Sequence, residues 1–136
     1  MDGTLAEIQE KLAQTLQAAL APTIPDLQVT AHMNINPTQP SIDIYPGDPF
    51  QEAAAFGLDS RELFFTVRAR VSSADQPAGQ ARLLELLEPG SGVEAALYND
   101  DALDGVAVAG VSGFTDYDDG DTGRLLGCEW RVRVLT

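Results

Sequence analysis

A chain of 136 residues, 44% hydrophobic and 21% charged, is sized for one ordinary domain and can bury a core without disulfides or metals. Its formal net charge of −13 repels duplex DNA and anionic membranes, which argues against sequence-specific nucleic-acid binding. No apolar run approaches the length of a bilayer span, and the lone Cys128 excludes an internal disulfide.

The start, Met1-Asp2-Gly3-Thr4, has neither the basic region nor the apolar core of a signal peptide, so synthesis in a cytoplasm is expected. Thr4-Leu5-Ala6-Glu7 is a capping-box signature and predicts a helix over residues 4–20. Leu5, Ile8, Leu12, Leu16 and Leu20 make its apolar stripe, and Pro22 stops it. Residues 27–33 (LQVTAHM) and 41–45 (SIDIY) alternate and predict two strands, with Ile42 and Ile44 opposed to Asp43 and Tyr45. The NINPTQP between them reads as a loop. Residues 46–60 open with turn residues and predict one short helical turn over Gln51–Phe56, with Phe50 and Phe56 either covering the edge of the core or facing a partner, the covering role being the commoner one.

Residues 62–72 (ELFFTVRARVS) predict the clearest strand, with Phe65, Val67, Ala69 and Val71 on one face and Phe64, Thr66, Arg68 and Arg70 on the other. Ser73-Ala74-Asp75-Gln76 with Pro77 opens a second helix, whose expected buried stripe is Ala81, Leu84 and Leu87 with Leu83 beside them. Pro89-Gly90 ends it. Ser91-Gly92-Val93-Glu94 predicts a further capping box and a helix through about Leu103, with Val93, Ala96 and Leu97 inward and Gly105 just past its end. Residues 106–114 and 124–135 predict the last two strands. The order α-β-β-β-α-α-β-β indicates an α+β fold: one mostly antiparallel sheet with helices on one face, in a single domain over residues 1–136.

The densest charge is TDYDDGDTGR, residues 115–124, where Asp116, Asp118, Asp119 and Asp121 crowd together. An EF-hand register from Asp118 puts Gly120 and Thr122 at ligand positions 3 and 5, and a register from Asp116 puts glycine at positions 5 and 12, so neither works. Paired-carboxylate catalysis needs a buried acid with a raised pKa, which a Gly-rich turn does not supply. The stretch therefore reads as a solvated hairpin loop, with a weaker cation site as the alternative. Cys128 and His32, single residues of their kinds, form no recognisable nucleophile pair, and Cys128 reads as a core residue. GSG at 90–92 lacks the lysine of a phosphate loop, and no G-x-S-x-G occurs.

Four of the eight basic residues, Arg68, Arg70, Arg131 and Arg133, sit at period two on the polar faces of two strands. They make either a solvated face with cross-strand ion pairs or a patch that receives acidic surface from a neighbouring copy. In the second case arginines at one place and the acidic residues 116–121 at another favour head-to-tail contacts, which close into rings.

Laid end to end, the amphipathic first helix, PSIDIYPGD, FFTVRARVSSAD, ARLLELLEPGSGVEAALYND and GCEWRVRVL resemble the tail-terminator proteins of long-tailed bacteriophages over most of the chain. The leucine run followed by Pro-Gly-Ser-Gly-Val and a short helix is the most telling part. The resemblance implies an α+β virion protein without catalytic residues, cofactor or metal. It implies a ring, hexameric in that family, that caps the tail tube, stops its polymerisation and docks the head-tail connector, while DNA passes through without sequence-specific binding. It implies no membrane partner. The alternatives are a head-side neck or head-completion protein and, from another class, a small cytoplasmic cation-binding or enzyme domain.

Overall fold

Thr4 opens the first helix as a capping box requires: its Oγ1 accepts from Glu7 N at 3.2 Å, and its own N–H donates to Glu7 Oε1 at 3.3 Å. The computed structural model describes residues 3–34, 40–51, 62–72, 76–100, 103–119 and 123–136. Helix α1 (Leu5–Leu20) buries Ile8, Leu12, Ala13, Leu16 and Leu20. Leu5, the first residue of the predicted stripe, stays exposed.

Strands β1 (Gln28–Thr30), β2 (Ser41–Gln51) and β3 (Glu62–Ser72) follow, then α2 (Gln76–Leu87) and α3 (Val93–Tyr98). The chain ends with β4 (Val106–Val111), β5 (Thr115–Asp119) and β6 (Gly123–Leu135). The fold is α+β with the expected succession of helices and strands plus one further strand, β5, between the last two, and the sheet order is β1-β2-β3-β6-β4 with β5 also on β6. Among the described residues, only the β1–β2 pairing is parallel. Val67, Ala69, Cys128, Trp130 and Val132 form one sheet face, and α1, α2 and α3 close over it in a single core.

β3 pairs along nearly all of β6, so β4 and β5 share the opposite edge of β6. β4 takes Trp130–Val134, and β5 takes Gly123–Gly127. Ser112 holds the break between them. Its N–H donates to Glu129 O at 2.8 Å, and its Oγ accepts from Glu129 N at 2.9 Å. Residues 115–119, expected as loop, are therefore strand: pairing with β6 overrides the weak strand preference of aspartate.

Other expectations are corrected locally. The turn expected from Pro46 is a continuation of β2 to Gln51, with a register shift between those two residues. β1 pairs only with Ser41–Asp43, so Pro46 and Pro49 lie where the outer edge of β2 has no ladder to break. Gln51 thus ends a strand, and the rest of the proposed helical turn, with Phe56, lies outside the described residues. Phe50 does cover the core, edge-on to Phe65 at 5.4 Å. β1 is shorter than the predicted 27–33 because side chains of α1 take its outward groups. Gln17 accepts from Val29 N and donates to Leu27 O, and Gln9 donates to Ala31 O.

α2 is rotated from the expected setting. Leu83 is buried and Leu87 packs half-buried against the core as expected, but Gly79 and Leu86 complete the inner face, while Ala81 and Leu84 are exposed. A Cβ on Gly79 would lie 3.0 Å from Ser72 O and 3.1 Å from Val71 Cγ2, so this bare position seats the helix on β3 and sets its rotation. α3 has no Ser91 capping box. Its N-cap is Gly92, where a Cβ would fall 2.1 Å from Leu86 O. The helix ends at Tyr98, short of Leu103, and Asp100 instead accepts from Thr15 Oγ1 of α1 at 2.7 Å. Val93, Ala96 and Leu97 face the core as expected. Gly105, at φ 80°, serves the turn into β4.

Candidate functional site

Sheet register lines up Asp43 of β2, Arg68 of β3 and Glu129 of β6 across the face opposite the helices. Arg68 grips Asp43 with two bonds, Nε to Oδ1 at 3.1 Å and Nη2 to Oδ2 at 2.5 Å. Arg70 Nη2 reaches the same Oδ2 at 3.3 Å, and Asn34 N donates to it at 3.0 Å. Arg70 also donates to Asn34 O. The cluster thus ties the chain around Asn34 down onto the polar face, and Asp43 is fully buried beneath it.

Two tyrosines complete the arrangement. The Arg68 guanidinium lies 5.0 Å from the Tyr45 ring and 5.6 Å from the Tyr117 ring. Both phenols donate to Glu129 Oε1, Tyr117 at 3.1 Å and Tyr45 at 3.4 Å. Gly127 makes room for this. A Cβ there would fall 2.4 Å from Ala69 O, 2.7 Å from Tyr117 Cε2 and 3.0 Å from Arg70 Cγ. Two carboxylates and two guanidiniums balance in formal charge.

Burial pushes both tyrosine pKa values up, and the Glu129 charge adds to that. Burial is the largest influence and works against the Arg68 charge, but its hydrogen bonds to Asp43, together with the negative charge there, outweigh it and hold its pKa above the usual arginine range. At Arg70 burial wins and the pKa falls, with Asp43 offsetting part of it. Burial pushes the Cys128 thiol up to about 12, so it is an inert core thiol. Among the described residues, no three His, Cys, Asp or Glu side chains gather as a metal site. No helix among them is long and apolar enough to cross a membrane.

The arginine rows therefore divide. Arg68 and Arg70 are spent on Asp43 in a shielded network rather than on a solvated face. Arg131 lies over the Phe64 ring, with its Cζ 3.9 Å from the centroid. Arg133 is half-buried, and its Nε has no hydrogen-bond partner among the described residues. Of the acidic residues, Asp116 is exposed on β5, Asp118 and Asp119 are also carried by β5, and Asp121 lies outside the described residues. Asp119 pairs with Gly123, far along β6 from Arg131.

No protein-family model matches the chain, and no curated protein matches it in sequence.

Sequence reasoning missed Asp43, Tyr45, Tyr117 and Glu129 as members of the cluster. The available signal was an aspartate set between two isoleucines in SIDIY, opposite arginines at period two in β3. What was lacking was the register that puts Asp43 beside Arg68.

Proposed function

We propose that the chain is a ring-forming tail terminator of a long-tailed bacteriophage, a virion structural protein and not an enzyme. Several copies, six in the family it resembles, cap the tail tube, stop its polymerisation and provide the surface on which the head-tail connector docks. DNA passes through the ring, and a net charge of −13 suits a lumen that must not grip it.

The observation that carries this reading is the separation of charge along one strand. Arg131 and Arg133 lie toward one end of β6, and the aspartates of β5 flank the other. Gly123, opposite Asp119, is eight residues from Arg131, which is about 26 Å of extended chain. Asp116 lies opposite Leu126, five residues from Arg131 along the same strand. A neighbour's acidic hairpin (Asp116, Asp118, Asp119 and Asp121) can meet Arg131 and Arg133, and repetition of such a head-to-tail contact closes a ring. Arg68 and Arg70 serve this face indirectly, by holding it in shape through Asp43.

Electron microscopy of the purified protein and of particles made without it tests the proposal. Rings of rotational symmetry and overlong tails are expected. Tailless filled heads beside normal tails would assign the chain to the head side of the neck instead. Absence of the protein from virions, by mass spectrometry, would end the reading. Arg131→Glu with Arg133→Glu is expected to abolish assembly and leave the circular dichroism of the monomer unchanged; unaltered assembly would remove the arginines from the contact.

A further inference from the structure

Helix α2 carries two apolar stripes, and the core uses one. Leu83 and Leu86 are buried, whereas Ala81 faces outward with Leu84, which is 59% exposed. The outward stripe walls a groove of about 340 Å³ between α2 and the end of α1. Leu20, Ile24 and Leu86 form its floor, and Glu85 and Glu88 stand at its rim. Ala81, Leu84 and Glu85 recur at three- and four-residue spacing on α2, so they form a ridge of the kind that packs against another helix, and Glu88 follows directly after the helix end.

The charge of the rim narrows the occupant. Glu85 and Glu88 have no ion-pair partner among the described residues, and the adjacent Arg82 is already held by Asp26 at 2.6 Å. A second copy does not supply the match. α1 carries only Lys11, α2 only Arg82 and α3 no basic residue. We propose that this groove docks an amphipathic helix of another protein, with aliphatic side chains seated against Leu20, Ile24 and Leu84 and lysines or arginines facing Glu85 and Glu88. The groove does not depend on the arginine face, so docking here stands apart from ring formation.

The probe is a synthetic amphipathic peptide of about four helical turns, with leucines on one face and lysines flanking them, and a matched peptide with glutamates for the lysines. Fluorescence anisotropy is expected to show binding of the first and none of the second. Leu84→Gln, at an exposed position, is expected to weaken binding about tenfold, and Glu85→Lys and Glu88→Lys each to weaken it as well. Glu10→Lys changes the net charge equally at an exposed site outside the groove and is expected to leave the affinity unchanged. Amide shifts in the NMR spectrum should centre on Thr23, Ile24 and Leu84. Failure of the lysine peptide to bind overturns the proposal. So does indifference to Leu84→Gln, or an equal loss in Glu10→Lys and Glu85→Lys, which would mean attraction by net charge alone.

Discussion

Asp43 and Arg68 face each other across β2 and β3, joined by two hydrogen bonds, with the carboxylate wholly shielded and the guanidinium nearly so. A pair so placed costs much to desolvate, and its removal from one side alone is worse than its absence. Asp43→Ala leaves two buried guanidiniums facing each other and Asn34 N without its acceptor. The expected loss is about 3–5 kcal/mol, read as a lowered midpoint in urea denaturation. A loss below about 1 kcal/mol would mean that the cluster contributes little to the fold.

Beside the cluster, Ser41 Oγ is buried with no hydrogen-bond partner among the described residues. An unsatisfied buried hydroxyl costs about 1–3 kcal/mol. Ser41→Ala is therefore expected to be neutral or stabilising, by up to about 1 kcal/mol. A marked fall in thermal midpoint would reveal a partner for the hydroxyl.

Gly127 and Gly110 make a controlled comparison. A Cβ on Gly127 would meet the Ala69 carbonyl oxygen at 2.4 Å, while one on Gly110 would meet nothing within 4 Å. Backbone cannot yield as a side-chain tip can. Gly127→Ala is expected to cost at least about 2 kcal/mol, and Gly110→Ala to lie within about 0.5 kcal/mol of the parent. Equal effects in chemical denaturation would contradict the close approach at Gly127.

Stability should fall in alkali. Tyr45 and Tyr117 have raised pKa values in the folded chain, so the unfolded chain releases its phenolic protons first as pH rises. The stabilisation is complete below the usual tyrosine value of 10.0 and is lost progressively above it. Cys128, pushed up to about 12, adds to the same slope from its usual 9.0 onward. Urea midpoints between about pH 8 and about pH 11 are expected to decline, and Tyr117→Phe should flatten the decline. A midpoint independent of pH across that range would contradict the burial of both phenols.

Much of the fold is readable in local patterns. The capping box and leucine spacing of α1, and the period-two alternation of β3 and β6, each reflect a long element with one strongly apolar face. α2 shows where such reading stops. Leucines at 83, 84, 86 and 87 offer two stripes of similar apolarity, and periodicity cannot rank them. The seat of Gly79 on β3 decides, and it leaves Leu84 outside.

The acidic stretch and the arginine rows divide the same way. Composition and spacing alone determined that the aspartates could form no EF-hand, that Cys128 could form no disulfide, and that the chain could hold one α+β core. Only the tertiary structure decided that TDYDD is a strand, because β6 offers it a free edge beyond β4. Only the structure decided that Arg68 and Arg70 belong to Asp43 and not to a partner, because a pairing between strands depends on register. A one-residue slip would turn Asp43 into the core and leave both arginines unmatched, and no pattern within a single strand records which register the sheet adopts.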